Sequence, residues 1–307
     1  MIDFIGNRRK AYLLSVILVI AGLVSLAIFG LNLGIDFTGG TVLHLNLGEE
    51  FSMEEVEAVI APFEELDGAA VQIVQGRDLS GEPTDEGLVI KAQYIEEERR
   101  EVIMEAFRSS FPNLDPADLR IESVGAVIGS ELAAQAILSL VVAVLLMVGY
   151  ITFRFEFRFA LATIAALLHN IIVVVGVFSI LQMEINVPFV AAILTVFGYS
   201  VNDTIVIFDR IRENIKHKQK REYVTIVNES INQNLVRSIN TSLTTLFVLV
   251  ALLFGFHYYI GSLDLIVFVA ALIMGVFVGT YSSIFVASPL WLNLQEVNFK
   301  KVRGKSA

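Results

Sequence analysis

One carboxylate in this sequence lies where a carboxylate is expensive. Asp203 falls inside a long apolar stretch, within Gly198-Tyr199-Ser200-Val201-Asn202-Asp203-Thr204-Ile205-Val206. Asp209, at the start of a basic segment, marks the edge of that stretch, and six helical residues put Asp203 about 9 Å deeper. An ionised carboxylate at such depth costs on the order of 3 kcal/mol on insertion scales unless it is paired, hydrated or protonated. It is therefore expected to face the interior of a helix bundle. An acid there that gains and loses a proton is the basic element of a proton relay; one that does not is a static partner in a helix–helix hydrogen bond. Asp209 and Arg210 read as interface charges.

The cation to match is Arg237, at the head of the next apolar stretch, followed by Ser238, Asn240, Thr241, Ser242, Thr244 and Thr245. Positions 237, 241, 244 and 245 share one helical face. A hydroxyl-lined stripe headed by Arg suits a water-containing polar seam. An Arg at that place is equally an ordinary anchor that snorkels to the headgroups. His169-Asn170, inside another apolar stretch, could shuttle protons, or His169 could stay neutral and give one hydrogen bond to a neighbouring helix. Gly275-x-x-x-Gly279 is a small-residue pattern for close helix contact. Pro289 reads as the end of the last stretch. Cysteine is absent, which excludes a disulfide framework and any thiolate metal site. Nothing resembles a nucleotide-binding loop or a nucleophile with its base. No cofactor is expected, an ion gradient is the only internal fuel the sequence offers, and an enzyme is not expected.

These residues need helices that cross a bilayer. A hydrophobic content of 55% and a mean hydropathy of +0.69 exceed what soluble domains carry. Six apolar stretches are long enough to span ~30 Å of hydrocarbon. They run roughly 11–30, 132–153, 159–181, 187–208, 235–256 and 263–286. The first is too long for a signal-peptide core and lacks a cleavage site, so it reads as an uncleaved anchor. Arg8, Arg9 and Lys10 fall on one side, with Arg154, Arg158, Arg210, Arg212, Lys216, Lys218, Lys220 and Arg221, and with the tail residues Lys300, Lys301, Arg303 and Lys305. The opposite short connections carry no Lys or Arg, which orients both termini toward the cytoplasm. The reading divides the chain into 1–34 (cytoplasmic N-terminus and first span), 35–130 (extracytoplasmic domain with hinge segments), 131–290 (spans two to six) and 291–307 (basic tail).

The segment 35–125 carries 21 acidic and 6 basic residues, so nucleic acid is excluded as a partner for it. Thr41–Leu47, Ala69–Gln75, Leu88–Tyr94 and Leu119–Val124 read as strands, with Val89 on an apolar strand face. A capping box, Ser52-x-x-Glu55, opens a helix to about Leu66, Gly81-Glu82-Pro83 breaks the chain, and Glu96–Ser110 reads as a second helix. The order β-α-β-β-α-β is that of the α+β ferredoxin-like split-βαβ motif. Without a His cluster or nucleophile it reads as a binding or mechanical module. Tyr223, Ile226, Val227 and Ile231 form one apolar helical face before the fifth span. It lies either on the membrane surface or against its own protein.

Five groups of residues together resemble the SecD/SecF family of protein-export membrane subunits. They are Asp36-Phe37-Thr38-Gly39-Gly40 after the first span; Val124-Gly125 with Gly129-x-Glu131-Leu132 before the second; Tyr199-Ser200-Val201-Asn202-Asp203-Thr204 with Phe208-Asp209-Arg210; Arg237-Ser238-Ile239-Asn240-Thr241-Ser242; and Tyr281-Ser282-Ser283. The resemblance covers nearly the whole chain. It implies half of a resistance-nodulation-division (RND) transporter, completed by a SecD partner and acting beside the Sec channel (SecY, SecE, SecG) in the bacterial inner membrane. It implies that the proton gradient, with Na+ as the other possible coupling ion, promotes movement of exported polypeptide. It carries over Asp203 and Arg237, flanked by Asn202 and Thr241, as proton-path residues. Asp36, Gly39, Gly40, Gly125 and Gly129 become part of the hinge. The family's third span usually reads His-Asp where this sequence has His169-Asn170, so that position is left out of the site. Two other classes compete: a stand-alone proton-coupled exporter of lipids or hydrophobic small molecules, and a non-coupled assembly protein.

Overall fold

Ten helices and four strands make up the described part of a computed structural model, which covers residues 1–47, 51–77, 83–114, 119–217, 222–260 and 262–303. In chain order they begin α1 (Arg8–Ile28), α2 (Ile35–Thr38), β1 (Gly40–Asn46), α3 (Met53–Ile60), β2 (Ala70–Arg77), β3 (Pro83–Ala92), α4 (Glu97–Ser110) and β4 (Leu119–Val124). There follow α5 (Ala126–Arg154), α6 (Phe157–Leu181), α7 (Val187–His217), α8 (Tyr223–Gly255), α9 (Leu263–Ser282) and α10 (Ser288–Arg303). The predicted break at 81–82, the basic residues at 218–221 and Lys305 fall outside the described residues.

Six helices are long and apolar enough to cross a membrane: α1, α5, α6, α7, α8 with its extension to Tyr258, and α9 continued to Gln295. Lipid offers no hydrogen-bond partner, so a β-branched-rich stretch such as Val141-Val142-Ala143-Val144 still closes its own helical bonds. Local chemistry sets the ends. Asn186 accepts a hydrogen bond from the Phe189 backbone N–H at 3.0 Å and caps α7, with Pro188 in the first turn.

Pro289 does not end the last span. The helix runs on through it to Arg303. A π-helical turn, Ser283–Ala287, lies just upstream. A proline ring clashes with the carbonyl four residues back, and the wider turn accommodates that clash.

The chain divides into two compact units. The helical unit comprises residues 1–32, 138–253 and 267–307. Backbone meets backbone where α1 crosses α6: a Cβ on Gly176 would meet the Cα of Gly22 at 2.4 Å. Ser25 donates to Ser179 at 2.8 Å on the same seam. The first twelve residues of α8 bury Ile226, Val227 and Ile231. Of the two readings of that apolar face, packing on the protein is the one observed. Asn228 and Asn232 on this stretch also hold the backbone of Ile2, Phe4 and Ile5.

The sheet unit comprises residues 33–137 and 254–266. Its four strands lie in the order β2-β3-β1-β4, every neighbour antiparallel. Each crossover skips a strand: α3 joins β1 to β2 across β3, and α4 joins β3 to β4 across β1. The capping box at α3 is formed, with Ser52 N–H donating to Glu55 and Glu55 N–H to Ser52 Oγ. Leu43, Leu45, Leu88 and Ile90 point at Val56 of α3 and Phe107 of α4 to make the core. Val89 pairs with His44 and Gln72 on the opposite face, yet is itself buried. The core face of β3 is therefore one residue out of phase with the apolar face read from sequence, because both faces of that strand are covered.

Candidate functional site

Asp203 lies on α7 within the helical unit. Its Oδ1 accepts a 2.5 Å hydrogen bond from Ser238 Oγ on α8. Its Oδ2 is buried and receives no hydrogen bond. Ser283 lies next to the carboxylate, and Arg237 acts on it through its charge from beyond ion-pair distance. A half-buried acid with one bonded and one unbonded oxygen is poorly suited to a purely structural role, since each unsatisfied buried polar atom costs about 1–3 kcal/mol.

Buried hydroxyls surround it on two sides. One turn before Asp203, Tyr199 donates to Ser242 Oγ at 3.1 Å. Ser242 also contacts Thr280 Oγ1 on α9 at 2.6 Å and the Ser238 carbonyl at 2.8 Å. On the other side, Thr204 and Ser283 share a 2.8 Å hydroxyl contact. Ser200 accepts from the Asn170 amide at 2.9 Å, and His169 Nδ1 meets Asn170 Oδ1 at 3.2 Å. His169 Nε2 is buried without a partner. Its ring nitrogen thus bonds within its own helix, and it is Asn170 that reaches the neighbour. Among the described residues no group of three His, Asp or Glu could hold a metal ion.

Arg237 is exposed and makes no ion pair with Asp203. Thr241 and Thr244 are exposed with it, and their hydroxyls return to carbonyls of their own helix. Asn202 is exposed on α7. The face of α8 turned into the unit is the next one round, Ser238, Ser242, Leu246 and Leu249. Sequence spacing finds both stripes but cannot rank them: Ser238 and Ser242 recur at i, i+4 as Arg237 and Thr241 do. No further sequence signal separates them, since the outer stripe also continues apolar, into Val248 and Leu252. Gly275 and Gly279 of α9 lie against Val196 and Ser200 of α7, where a Cβ would meet Val196 Cγ2 at 2.2 Å and Ser200 Cβ at 3.1 Å. Gly22 and Gly176 were not singled out from sequence, because Gly22 and Ser25 lack the four-residue repeat.

In the sheet unit, Asp36 lies in α2. Gly39 has φ +74° and approaches Ala126 Cα to 2.7 Å from its Cβ position, while Gly129 would meet Gly39 N at 2.9 Å. A Cβ on Gly40 would meet the Ala92 carbonyl oxygen at 2.9 Å. Gly39 and Gly129 sit where backbones touch between the α2–β1 turn and the first turn of α5, and Gly40 sits where the start of β1 meets β3. Gly125 has open space around it.

A multi-pass membrane protein with a polar interior and an inserted four-stranded domain is thus the class that fold and site define. Residues 103–297 match the family described as protein export membrane protein SecD/SecF, C-terminal, and residues 24–48 match the SecD/SecF GG motif. The protein translocase subunit SecF of Sebaldella termitidis is 38% identical, over 97% of this chain and 96% of its own. The protein translocase subunit SecDF of Bacillus subtilis is 35% identical, over 97% of this chain and 39% of its own. The crystal structure of SecDF, a translocon-associated membrane protein from Thermus thermophilus, superposes with a TM-score of 0.80 at 37% identity. That match covers 96% of this chain but only 39% of the solved one, so the chain spans about two fifths of the SecDF proteins it resembles. The chain belongs to the SecD/SecF family of protein-export membrane proteins.

Proposed function

We propose that this chain is the six-span half of a two-part machine that uses the proton gradient to promote protein export. The SecD half would complete it, and the Sec channel of SecY, SecE and SecG would be its working neighbour. Asp203 carries the reading: a buried carboxylate with one free oxygen among rotatable hydroxyls can take up and release a proton. Moving one charge through the membrane field yields about 2.3 kcal/mol per 100 mV, enough to bias a two-state helix bundle. The role is mechanical and not enzymatic, with H+ as the coupling ion.

Support for a partner half comes from α8. Arg237, Asn240 and Thr241 form a polar exposed face inside a span, which lipid would not solvate and a second helix bundle would. The longer SecDF relatives hold the extra chain from which such a bundle could come. The sheet unit is read as ferredoxin-like, supported by its strand order and paired skipped crossovers. It would lie outside the inner membrane with both termini cytoplasmic, following the basic loops, and there meet the exported polypeptide.

The test is export into membrane vesicles carrying the SecD partner and this chain, with and without an imposed proton gradient. Asp203→Asn keeps shape and hydrogen bonding but cannot titrate. It should leave assembly with SecD intact and abolish the stimulation. Full stimulation by the gradient in Asp203→Asn vesicles would remove Asp203 from the proton path.

A further inference from the structure

We propose that Ser283 reads the charge state of Asp203 and passes it to the π-helical turn it opens, making that turn the element that moves. The proposal rests on the proton-coupled reading above and names the coupling step within it.

Ser283 is fully buried beside the carboxylate. Its single hydroxyl proton faces three acceptors: the Gly279 carbonyl at 2.9 Å, Thr204 Oγ1 at 2.8 Å and the Ser200 carbonyl at 3.3 Å. None of these is Asp203 Oδ2, which lies close to Ser283 without a hydrogen bond of regular geometry. An ionised Oδ2 needs a donor, and a protonated one carries a proton that needs an acceptor. Ser283 can serve in either role, but not while keeping the same bonds. To donate to the ionised carboxylate it must turn its proton away from Gly279 and Thr204. To accept from the protonated one it can leave that proton where it is. Ser283 keeps its own proton throughout; only the direction of that proton changes, and the transferred proton stays on Asp203.

The Gly279 carbonyl is the place where this change meets the backbone. It accepts from both Ser282 and Ser283 side chains, at 3.0 and 2.9 Å. Back-bonding such as that of Ser283, to the carbonyl four residues earlier, bends helices. The next turn, Ser283–Ala287, is π-helical. Ser288 Oγ covers the Ser283 carbonyl at 2.9 Å, outside the regular α pattern. Pro289 disfavours a regular α turn at this place, so the α and π forms are brought closer in energy than in an ordinary helix. Downstream, α10 is anchored through Trp291, stacked on Phe159 of α6 at 4.6 Å, and through the hydrogen bond from Arg158 to Gln295. A change in the turn would therefore be transmitted to α6.

Hydrogen exchange of amides 283–288 tests this in the SecD-containing complex. Asp203→Asn presents a permanent N–H donor where Oδ2 sits. It mimics the protonated carboxylate, so it should change exchange in this segment about fivefold or more relative to wild type at a pH high enough to ionise wild-type Asp203. In a Ser283→Ala background the same substitution should change nothing, and gradient-stimulated export should fall about tenfold with assembly unaltered. Should Ser283→Ala lower the amount of complex, Ser288→Ala, which leaves every Ser283 side-chain contact in place, should likewise remove the response of the segment to Asp203→Asn. An Asp203→Asn response that is absent, or undiminished by either serine substitution, would overturn the proposal. If Asp203→Asn abolishes stimulation while Ser283→Ala leaves it full, only this coupling step fails; if Asp203→Asn leaves stimulation full, the proton-coupled reading fails first.

Discussion

The core of the sheet unit is hydrocarbon: Leu43, Leu88, Ile90, Ile103 and Phe107 are fully buried, and Thr41 is its one buried polar side chain among the described residues. In the helical unit the buried set includes Ser200, Thr204, Ser238, Ser242, Ser283, His169 and Asn170, while Leu145, Leu146, Phe247 and Val248 are turned outward. The sheet unit excludes water and is held by the hydrophobic effect. The helical unit has no such driving force between spans, because lipid is as apolar as leucine; close backbone approach and interhelical hydrogen bonds take its place. A polar interior is thus both what holds the spans together and what a proton could use. One consequence is that structural and functional serines cannot be told apart by burial alone.

Gly176→Leu should separate the two modes most sharply. Its first added carbon meets backbone, Gly22 Cα at 2.4 Å, so no rotamer change relieves it. The expected cost exceeds ~5 kcal/mol, and the protein should fail to accumulate in membranes. Normal accumulation would show that α1 and α6 are not tightly packed. Phe107→Ala, in the hydrocarbon core, should cost about 3–5 kcal/mol and expose the sheet unit to protease. The spans should remain protease-resistant in that variant; simultaneous loss of both units would break the comparison.

Much of this was legible in the sequence. The six spans follow from apolar length, the strands and helices of the insert from period and capping, and Asp203 from a charge in the wrong solvent. The partner of Asp203 was not legible. Arg237 stands out by charge, yet it is Ser238, one residue on and turned 100° round the helix, that bonds to the carboxylate. Neutral hydroxyls carry no sequence signal beyond their spacing, and two adjacent stripes have the same spacing. The covering of both faces of β3 was hidden for a related reason: alternation distinguishes two faces only when one of them meets water. Pro289 misled because its usual meaning as a terminator assumes no π turn upstream.

Asn170→Leu probes the polar mode at smaller amplitude. The amide joins α6 to Ser200 of α7 at 2.9 Å, and a leucine, with the same heavy-atom branching but bulkier methyls, leaves the buried Ser200 hydroxyl without that donor. A cost of about 1–3 kcal/mol is expected in the thermal unfolding of the purified complex, with protease resistance of the sheet unit unchanged. A neutral or stabilising result would mean that packing, not hydrogen bonding, holds α6 against α7.

The smallest effect tests the sheet unit's own charged surface. His44 sits on the face opposite the core, beside Glu122 and Arg120 of β4, Lys91 of β3 and Asp264 at the start of α9. Burial holds its pKa below the usual value near 6.5, against the pull of Glu122 and Asp264 and with the help of Arg120 and Lys91. A histidine whose folded pKa is depressed binds its proton more readily when unfolded. Stability of the sheet unit should therefore be level above pH ~6.5 and fall as the pH drops below it, until the folded protein also takes up the proton. Amide exchange along β1 and β3, compared at pH 7.5 and pH 5.5 after correction for intrinsic rates, reads this directly. His44→Gln should flatten the difference without changing exchange at the higher pH. An equal acid-induced loss in His44→Gln would show that His44 is not its cause.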